Sequence, residues 1–517
     1  MLKDKIKNIL SRSDYFIPKL MFLFITFSLV HFGLGYATKP IYTVGIVAFL
    51  VSINRLNFLY YLFVIIFSVI AAVYLPASIM YGQPSFNIAS SILYTDQNEA
   101  KEFISTIPYY YFLVSILIIS LSFYSLKFKF NVSKKLRITY LVVFLIILMH
   151  SPIKDKHSND YIDISNSGYP EIKFFKDFYL SIKESNNEQS KVISLISKKD
   201  DFNSVKANNK YNTYVLVIGE STRRDFMNFY GFKINNTPFM NSINGIFFTN
   251  YTSASGSTQL SLTNTLAISG NLSNNVISLA EKAGFHTIWL SNQGSIGIHD
   301  SPVASVGKKA DKFTFIKKGD SDIENNKKND NHLLPFIKSA INKTKRNKLV
   351  IIHLMGSHPP ACARTNDNYD YFYENKEISC YIQSIKDTDN LLATIHEYLI
   401  ESQSKWTMMY FSDHGLSIID ENNKNKLRLI HNDKYRQNFE VPFFITFYDS
   451  KEKIYINAKR SAFSFMTLFS EWTGINDDII NKTCNMISNE KCDNQNKIIN
   501  FNNEIINYFD LPMQKNI

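Results

Sequence analysis

The stretch WTMMYFSDHGLS, residues 406–417, places an acid, an imidazole and a glycine directly after a mostly apolar run. A short apolar run of this kind is typical of a strand that is buried on both faces of a sheet. Asp413 and His414 then lie where that strand would end. A turn would explain them, since Asp, His and Gly tolerate turn geometry, and a pair of metal ligands is the second interpretation. The rest of the chain decides between these two interpretations.

Further apolar runs of strand length precede and follow this stretch, and helical stretches separate them from residue 214 onward. These runs are YVLVIG, HTIWLS, LVIIHLMG and VPFFITFY. Apolar strands that alternate with helices predict an α/β domain with a mostly parallel sheet and helices on both faces. In such sheets, ligands bind beyond the carboxyl ends of the strands.

Polar side chains follow three of these predicted strands. Glu220 comes after YVLVIG, His358 comes after LVIIHLMG, and Asp413 and His414 come after WTMMYFS. Because the ends of parallel strands share one edge of a sheet, these groups can converge, which favours a site over a set of turns. Oxygen and nitrogen ligands without thiolate suit zinc or manganese. Glu220, Asp413 and His414 would leave a fourth position for water, substrate or a nucleophile.

A candidate nucleophile lies in SASGSTQLSLTNTLAI, residues 253–268. Gly256 permits a tight turn, and Ser257 is predicted to cap a helix that begins near Thr258. A hydroxyl at a helix N-terminus meets the positive end of the helix dipole, and contact with a metal would activate it further. Thr258 is the predicted nucleophile and Ser257 is its nearest rival. Capping without chemistry is the alternative interpretation.

Five apolar stretches in the N-terminal part predict five membrane helices. They are residues 15–36, 40–53, 56–80, 108–126 and 138–150, and two of them are marginal in length. The sequence therefore predicts a membrane domain over residues 1–152, a bridging segment over 153–212 and a catalytic domain over 213–517. A cleaved signal peptide is the alternative for the first stretch, but four further apolar stretches leave the topology unchanged.

The basic residues predict the orientation of these helices. They precede the first stretch or lie between the second and third or the fourth and fifth: Lys3, Lys5, Lys7, Arg12, Arg55, Lys127, Lys129, Lys134, Lys135 and Arg137. Basic loops face the cytoplasm, so everything after His150 is predicted to lie on the outer side. The formal net charge of +11 suits an anionic lipid surface. Nucleic acid is not expected as a partner, because neither an Arg-rich helix nor a basic-aromatic repeat is present.

All four cysteines lie in the predicted external part, where disulfides can form. Four cysteines allow three pairings. Proximity in the sequence favours Cys362–Cys380 and Cys484–Cys492. A zinc–cysteine cluster is the alternative, although no C-x-x-C pair supports it.

The segment YPEIKFFKDFYLSIKES, residues 169–185, has the pattern of an amphipathic helix. Ile172, Phe175, Tyr179 and Ile182 share one stripe, and lysines are interleaved with them, which favours a helix that lies on the membrane surface. A helix packed on the soluble domain is the alternative. A polar linker over residues 184–212 is predicted to follow.

Four motifs occur in the order GES, GSTQLS, HLMGSHPP and SDHG behind the five apolar stretches. With this order, the chain resembles the membrane-bound phosphoethanolamine transferases of Gram-negative bacteria, which belong to the alkaline phosphatase and sulfatase superfamily. The resemblance covers nearly the whole chain. It implies a five-span inner-membrane domain, a bridging helix and an α/β periplasmic catalytic domain.

The resemblance also implies roles for individual residues. Glu220, Thr258, Asp413 and His414 would bind zinc, one or two ions, with manganese as the alternative metal, and Thr258 would be the catalytic nucleophile. His358 would bind a second metal or the substrate phosphate. Substrate binding is also implied for His431, after a longer gap than in the family, and for a loop of the membrane domain. The residues of that loop, spaced by four, are Ser91, Thr95 and Glu99.

The implied reaction transfers phosphoethanolamine from phosphatidylethanolamine through a covalent threonine intermediate. Ser255 and Asn264 stand where the lipid A enzymes carry cysteines, and a lysine expected after HTIWLSNQG is absent. These departures favour a lipopolysaccharide core sugar or another periplasmic glycan as acceptor. The alternatives are a phosphoglycerol transferase, a phosphodiesterase, a sulfatase (which lacks its C/S-x-P-x-R signature here) and a metal-free protein that binds lipid or glycan.

Overall fold

The computed structural model describes a large part of the chain. The chain divides into two compact units. The described residues are 16–94, 104, 107–155, 162–268, 271–293, 302–316, 329–342, 347–419, 423, 425, 427–480 and 483–515. One unit lies within Met1–Ser91 and Ile104–Ser185, and the other lies within Ile92–Phe103 and Asn186–Ile517.

The first unit is helical. Its helices are α1 (Phe16–Gly33), α2 (Pro40–Ile53), α3 (Asn57–Tyr81), the first part of α4 (Phe86–Tyr94), α5 (Tyr109–Ser125), α6 (Lys134–Asp155) and the first part of α7 (Pro170–Ser197). Each of the five apolar stretches of the sequence forms a helix. Among the described helices, three rather than five are long and apolar enough to cross a membrane, namely α1, α3 and α6. Helices α2 and α5 are apolar but shorter, with 14 and 17 residues, so five spans remain a prediction.

Apolar side chains both fill and cover this helical unit. Leu23, Phe27, Tyr60 and Val64 are fully buried between the helices. Val73 is 76% exposed on α3, as befits a side chain that faces lipid. The unit therefore has a packed interior and an apolar outer surface.

The predicted amphipathic helix is present as α7, but it extends to Ser197. The prediction of a polar linker from residue 184 is therefore wrong for residues 184–197. This stretch has no Pro or Gly and carries Glu, Gln, Lys, Ile and Leu, which a helix accommodates well. Phe174 is buried in the core of the helical unit, whereas Phe175 and Tyr179 of the predicted stripe are exposed.

The second unit combines short helices with several sheets. Its strands are β1 (Lys206–Ala207), β2 (Thr213–Gly219), β3 (Gly245–Phe248), β4 (Tyr251–Thr252), β5 (Ala267–Ile268), β6 (Asn271–Asn275), β7 (His286–Ser291), β8 (Lys312–Phe315), β9 (Lys348–His353), β10 (Trp406–Ser412), β11 (Ser417–Ile419), β12 (Arg428–Ile430), β13 (Phe443–Phe447), β14 (Lys453–Ile456), β15 (Arg460–Ser461), β16 (Ile475–Asn476), β17 (Lys497–Ile499) and β18 (Ile505–Asn507). Its α-helices are α8 (Pro238–Ser242), α9 (Thr258–Thr265), α10 (Val276–Lys282), α11 (Pro302–Gly307), α12 (Leu334–Asn342), α13 (Ala361–Arg364), α14 (Lys376–Glu401) and α15 (Phe465–Thr473).

The central sheet has eight strands in the order β14-β3-β13-β10-β2-β9-β7-β8. Five neighbouring strands, from β10 to β8, are parallel, as the sequence predicts. Strand β13 is antiparallel to both β10 and β3, so the sheet is mixed, although most of its strand pairs are parallel. The chain returns from β10 through the β11–β12 hairpin, and an antiparallel neighbour requires no crossover helix.

The central sheet is covered on both faces. Along β2, Tyr214, Leu216 and Ile218 join one apolar cluster, together with side chains of α10 and α15. Val215 and Val217 join the opposite cluster, together with side chains of α12 and α14. This alternation follows from the two-residue period of a strand and leaves the strand ends as the open edge.

The four cysteines form two disulfides, Cys362–Cys380 and Cys484–Cys492. This is the pairing that proximity in the sequence predicts. The alternative of a zinc–cysteine cluster is wrong, because none of these cysteines is free.

Candidate active site

Glu220 lies directly after β2 and is fully buried. Its carboxylate accepts a hydrogen bond on Oε1 from the Ser221 hydroxyl, at 2.7 Å. Gly356, in the loop after β9, packs against the backbone of this residue with a φ of +48°. A Cβ at Gly356 would lie 2.9 Å from both N and O of Glu220, so the close approach requires glycine.

Asp413 and His414 lie directly after β10, at the same edge of the sheet. Asp413 Oδ1 accepts hydrogen bonds from the backbone N–H groups of Ser221 (3.1 Å) and His414 (2.8 Å). Its second oxygen, Oδ2, is buried and has no hydrogen-bond partner among the described residues. His414 Nδ1 lies 2.8 Å from Gly415 O, which leaves Nε2 facing Glu220 Oε1 at 3.2 Å.

Thr258 is the first residue of α9 and completes this cluster. Its hydroxyl donates to Glu220 Oε2 at 2.9 Å and lies 3.2 Å from His414 Nε2. Helix α9 is held beside the site by Ser261, whose hydroxyl donates to the carbonyl of Asp413 at 2.6 Å. The structure thus brings together Glu220, Thr258, Asp413 and His414.

Ser257 occupies the N-cap position of α9, but its side chain makes no capping hydrogen bond. The prediction that it caps the helix through its hydroxyl is therefore wrong. The Ser257 Oγ atom is buried and finds no hydrogen-bond partner in the part of the chain that the structure describes. Its backbone carbonyl instead accepts from Ser261 N at 2.9 Å.

His431 and His358 lie beside the cluster. His431 follows β12, and its ring centroid is 5.0 Å from that of His414 and 5.3 Å from that of His358. Glu220, His414 and His431 each offer one ligand atom, and these atoms lie within 4.8 Å of one another. His431, which the sequence assigned to substrate binding, thus also lies where it can bind a metal.

Sequence reasoning missed Gln293, which lies two residues after the end of β7. Its side-chain amide donates to Glu220 Oε2 at 3.1 Å and to the carbonyl of Leu354 at 2.9 Å. The available signal was the same as for the other site residues, namely a polar side chain just past a buried strand.

The predicted substrate loop of the membrane domain lies mostly outside the described residues. Ser91 is exposed on α4. Thr95 and Glu99 lie outside the described residues. Their role in substrate binding stays a prediction.

The two buried carboxylates have opposite pKa shifts. Burial raises the pKa of Glu220, but the positive charges of His414 and His358 outweigh burial, and the net pKa is lowered. Burial and the neighbouring charge of Glu220 raise the pKa of Asp413. Two carboxylates this close repel each other unless a positive charge lies between them.

The imidazoles complete this electrostatic picture. Burial lowers the pKa of His414, but the carboxylates of Asp413 and Glu220 more than reverse this and raise it to about 9. Burial and the charges of His414 and His358 lower the pKa of His431. The cluster therefore favours a positive charge at one place, where two carboxylates and His414 converge.

These residues fit a zinc ion. Zinc accepts carboxylate oxygen and imidazole nitrogen, and catalytic zinc keeps a position for a nucleophile or water. The buried Oδ2 of Asp413, which lacks a hydrogen-bond partner among the described residues, is the atom that a cation would satisfy.

Known proteins resemble this chain over most of its length. The Sulfatase family model matches residues 212–475. The chain is 36% identical over 494 residues to the phosphoethanolamine transferase OpgE of Escherichia coli (strain K12), and the match covers 94% of each chain. The chain belongs to the phosphoethanolamine transferases of the sulfatase family. The transferase is also 31% identical over 378 residues to a putative phosphoethanolamine transferase of Haemophilus influenzae, covering 69% of this chain and 74% of the relative.

Solved structures show the same fold. The integral membrane phosphoethanolamine transferase EptA of Neisseria meningitidis matches 86% of this chain and 89% of its own, with a TM-score of 0.59 and 18% identity. The periplasmic domain of EptC from Escherichia coli in complex with Zn matches 61% of this chain and 98% of its own, with a TM-score of 0.53 and 22% identity. The transferase thus shares the fold of these two proteins.

Proposed function

We propose that the transferase moves phosphoethanolamine from phosphatidylethanolamine to a hydroxyl of a lipopolysaccharide core sugar or another periplasmic glycan. Thr258 is the nucleophile and carries the group between donor and acceptor. The observation that carries this proposal is the contact of Thr258 Oγ1 with Glu220 Oε2 (2.9 Å) and His414 Nε2 (3.2 Å). A threonine hydroxyl is a weak nucleophile, and this buried cluster of carboxylate and imidazole is a setting that activates it.

In the first half-reaction, Thr258 Oγ attacks the phosphorus of phosphatidylethanolamine. A new bond forms between Oγ and phosphorus, and the bond between phosphorus and the diacylglycerol oxygen breaks. The proton that Thr258 Oγ loses is passed on to the diacylglycerol oxygen that leaves, so Glu220, whose Oε2 accepts the Thr258 hydrogen bond, stays a carboxylate in the covalent intermediate. His358 is proposed to relay this proton to the diacylglycerol oxygen.

In the second half-reaction, the acceptor hydroxyl attacks the phosphothreonine. The acceptor oxygen bonds to phosphorus, the bond to Thr258 Oγ breaks, and the proton of the acceptor hydroxyl returns to the threonine. His358 and His431 orient the donor head group or the acceptor in this proposal. Ser91, Thr95 and Glu99 are proposed to contact the donor at the membrane. This is a double-displacement reaction with a covalent intermediate.

Glu220, Thr258, Asp413 and His414 are the proposed ligands of a zinc ion, with manganese as the alternative. When bound, zinc would lower the pKa of the threonine hydroxyl and neutralise charge on the phosphoryl oxygens. The solved structure of the Escherichia coli EptC periplasmic domain in complex with Zn supports this choice of metal. His431 is close enough to the same atoms to serve as a further ligand or to contact a second ion.

A glycan acceptor is favoured by a departure from the lipid A enzymes at two positions around α9. Ser255 donates a hydrogen bond to the carbonyl of Ile499 at 2.9 Å, and Asn264 donates to the carbonyl of Leu260 at 2.8 Å. Ser255 and Asn264 stand where the lipid A enzymes carry a pair of cysteines. Side-chain hydrogen bonds to the backbone are therefore found here in place of that disulfide. The departure separates this transferase from the lipid A enzymes that it resembles.

The test uses the full-length protein in micelles with head-group-labelled phosphatidylethanolamine and either lipopolysaccharide or periplasmic glycan. We expect label on a sugar hydroxyl together with released diacylglycerol. The Thr258→Ala variant should transfer nothing. The Thr263→Ala variant should be unaffected, because that hydroxyl bonds only within α9.

The outcomes separate the alternatives. Label released into water instead of onto sugar would indicate a phosphodiesterase, and label on lipid A would move the acceptor. Transfer from phosphatidylglycerol in preference to phosphatidylethanolamine would indicate a phosphoglycerol transferase. Any of these outcomes would overturn the proposal.

A further inference from the structure

The carboxylate of Glu220 receives hydrogen bonds on both oxygens. Oε1 accepts from Ser221, and Oε2 accepts from Thr258 and from Gln293. These donors hold the carboxylate in one orientation, with Oε1 toward His414 Nε2. The orientation of Glu220 therefore depends on three side chains, of which Gln293 has no other assigned role.

Gln293 is itself held in place. Its backbone N–H donates to Ser291 Oγ at 3.0 Å, and its side-chain amide also donates to the carbonyl of Leu354 at 2.9 Å. The preceding residue, Asn292, donates from its backbone N–H to the carbonyl of His353 at 2.9 Å. The end of β7 is thereby fastened to the loop after β9.

Asp330 strengthens the same connection. Its carboxylate accepts from the Asn292 side chain at 2.9 Å and from the backbone N–H groups of Met355 (2.9 Å) and Gly356 (2.8 Å). Gly356 in turn packs against the backbone of Glu220. The amide of Gln293 therefore approaches Glu220 from a rigid frame, which is the condition for fixing a ligand side chain precisely enough for catalysis.

The two side chains that donate to Glu220 Oε2 differ in whether they can still donate after the first half-reaction. When Thr258 Oγ bonds to phosphorus, its hydrogen is gone and it no longer donates to Glu220. Gln293 then remains the one described side chain that donates to Oε2 through the covalent intermediate. An amide is also uncharged, so it orients the carboxylate and leaves its negative charge available to a cation.

We propose that Gln293 is a positioning residue that holds Glu220 in its metal-binding orientation throughout the reaction, and above all while Thr258 carries the phosphoethanolamine group. This inference rests on the proposed function. It concerns a residue outside the four motifs GES, GSTQLS, HLMGSHPP and SDHG. Side chains that hydrogen-bond to the ligands of a metal commonly contribute a factor of about 10–100 in metal affinity or activity.

The test compares Gln293→Met, which keeps the length of the side chain and removes the amide, with the wild-type protein. The zinc dissociation constant is measured by competition with a chelator on the full-length protein. We expect it to rise about tenfold or more in Gln293→Met. The Gln383→Met variant, which loses an amide on α14 that bonds Asp387, should bind zinc as the wild type does.

Rates of the two half-reactions provide a second readout. Loss of a merely structural contact would slow both half-reactions equally and lower the melting temperature of the metal-free protein. We expect an unchanged metal-free melting temperature and a larger loss in the second half-reaction, because Thr258 no longer supports Glu220 at that stage. If Gln293→Met does not fold, Gln293→Asn, whose shorter amide cannot reach both partners, provides the same comparison.

Two failures are distinguishable in this experiment. Equal zinc affinities of the wild type and Gln293→Met would overturn the role of Gln293 and leave the proposed function intact. A wild-type protein that binds neither zinc nor manganese would overturn the metal assignment of the proposed function itself.

Discussion

Gly356 supports the site at the scale of a single residue, because its missing side chain lets the loop after β9 pack against Glu220. A Cβ there would lie 2.9 Å from the Glu220 backbone. We expect Gly356→Ala to displace Glu220 and to lower the transfer rate about 100-fold, since a misplacement of about 1 Å costs that much. Steady-state kinetics on the purified full-length variant measures the loss.

Gly284→Ala is the matched control for this substitution. Gly284 also has a positive φ, +82°, but nothing lies within 4 Å of its ideal Cβ. Both variants therefore carry backbone strain, and only Gly356→Ala crowds the site. Equal losses of activity in the two variants would show that strain, and not the position of Glu220, is responsible.

Sequence reasoning identified single residues where a general rule applied to them. Glu220, Asp413 and His414 stand just past buried strands, and parallel strand ends meet at one edge. Gln293 satisfies the same rule, yet an amide is not a preferred ligand, and its contact with Glu220 depends on the three-dimensional path of a loop. The prediction that Ser257 caps α9 through its hydroxyl failed for a similar reason. The rotamer of the serine side chain decides whether the hydroxyl reaches the helix backbone, and the sequence does not reveal that rotamer.

At the scale of elements, two glycines of the membrane unit each pack against a tyrosine, and these two contacts join α2 to the segment just before α7. Gly45 on α2 faces Tyr169, and an ideal Cβ there would lie 1.9 Å from the Tyr169 hydroxyl oxygen. Gly168 faces Tyr42 in the same way. We expect Gly45→Ala to lower the melting temperature of the detergent-solubilised protein, because overpacking costs about 1–3 kcal/mol.

A double variant controls for effects that are unrelated to this contact. In the Tyr169→Ala background the obstructing ring is gone, so adding Gly45→Ala should cost little more. Additive losses in the double variant would contradict the contact between Gly45 and Tyr169, because residues in contact are expected to couple.

Asp389 on α14 connects two elements by accepting the backbone N–H groups of Phe239 (2.8 Å) and Met240 (3.1 Å) at the start of α8. Burial raises its pKa to about 6, although these hydrogen bonds act in the opposite direction. The carboxyl group of Asp389 thus binds its proton more tightly in the folded protein than in the unfolded chain. Its stabilising contribution is complete below pH ~4 and is lost as pH rises through ~6.

Melting temperatures of the wild type and Asp389→Asn between pH 4 and pH 7 test this prediction. The stability of the wild type relative to the variant should fall as the pH rises from ~4 to ~6, by on the order of 2 kcal/mol. Two curves that stay parallel over this range would show that the pKa of Asp389 is not raised.

The elements themselves were largely predictable, because apolar runs and their periods report burial directly. All five apolar runs of the catalytic domain form strands, and all five of the membrane part form helices. The direction of β13 was not predictable, since a buried apolar strand has the same composition in either direction. The end of α7 was missed because a polar stretch without Pro or Gly can be either linker or helix.

The membrane topology is a property of the whole molecule, and its prediction rests on the basic loops. A single cysteine at Lys135→Cys is predicted to react with a membrane-impermeant maleimide only after spheroplasts are permeabilised. A cysteine at Lys451→Cys in the catalytic domain should react in intact spheroplasts. The native cysteines are paired and should not interfere. Labelling of Lys135→Cys in intact spheroplasts would contradict five spans with a cytoplasmic N-terminus.

In the proposed reaction, one residue, Thr258, carries the transferred group. The most direct measurement incubates the full-length protein with phosphatidylethanolamine in the absence of acceptor, stops the reaction with acid and locates any adduct by peptide mass spectrometry. We predict one phosphoethanolamine group on Thr258, lost in Thr258→Ala and retained in Ser257→Ala. An adduct on another residue, or one that persists in Thr258→Ala, would contradict this prediction.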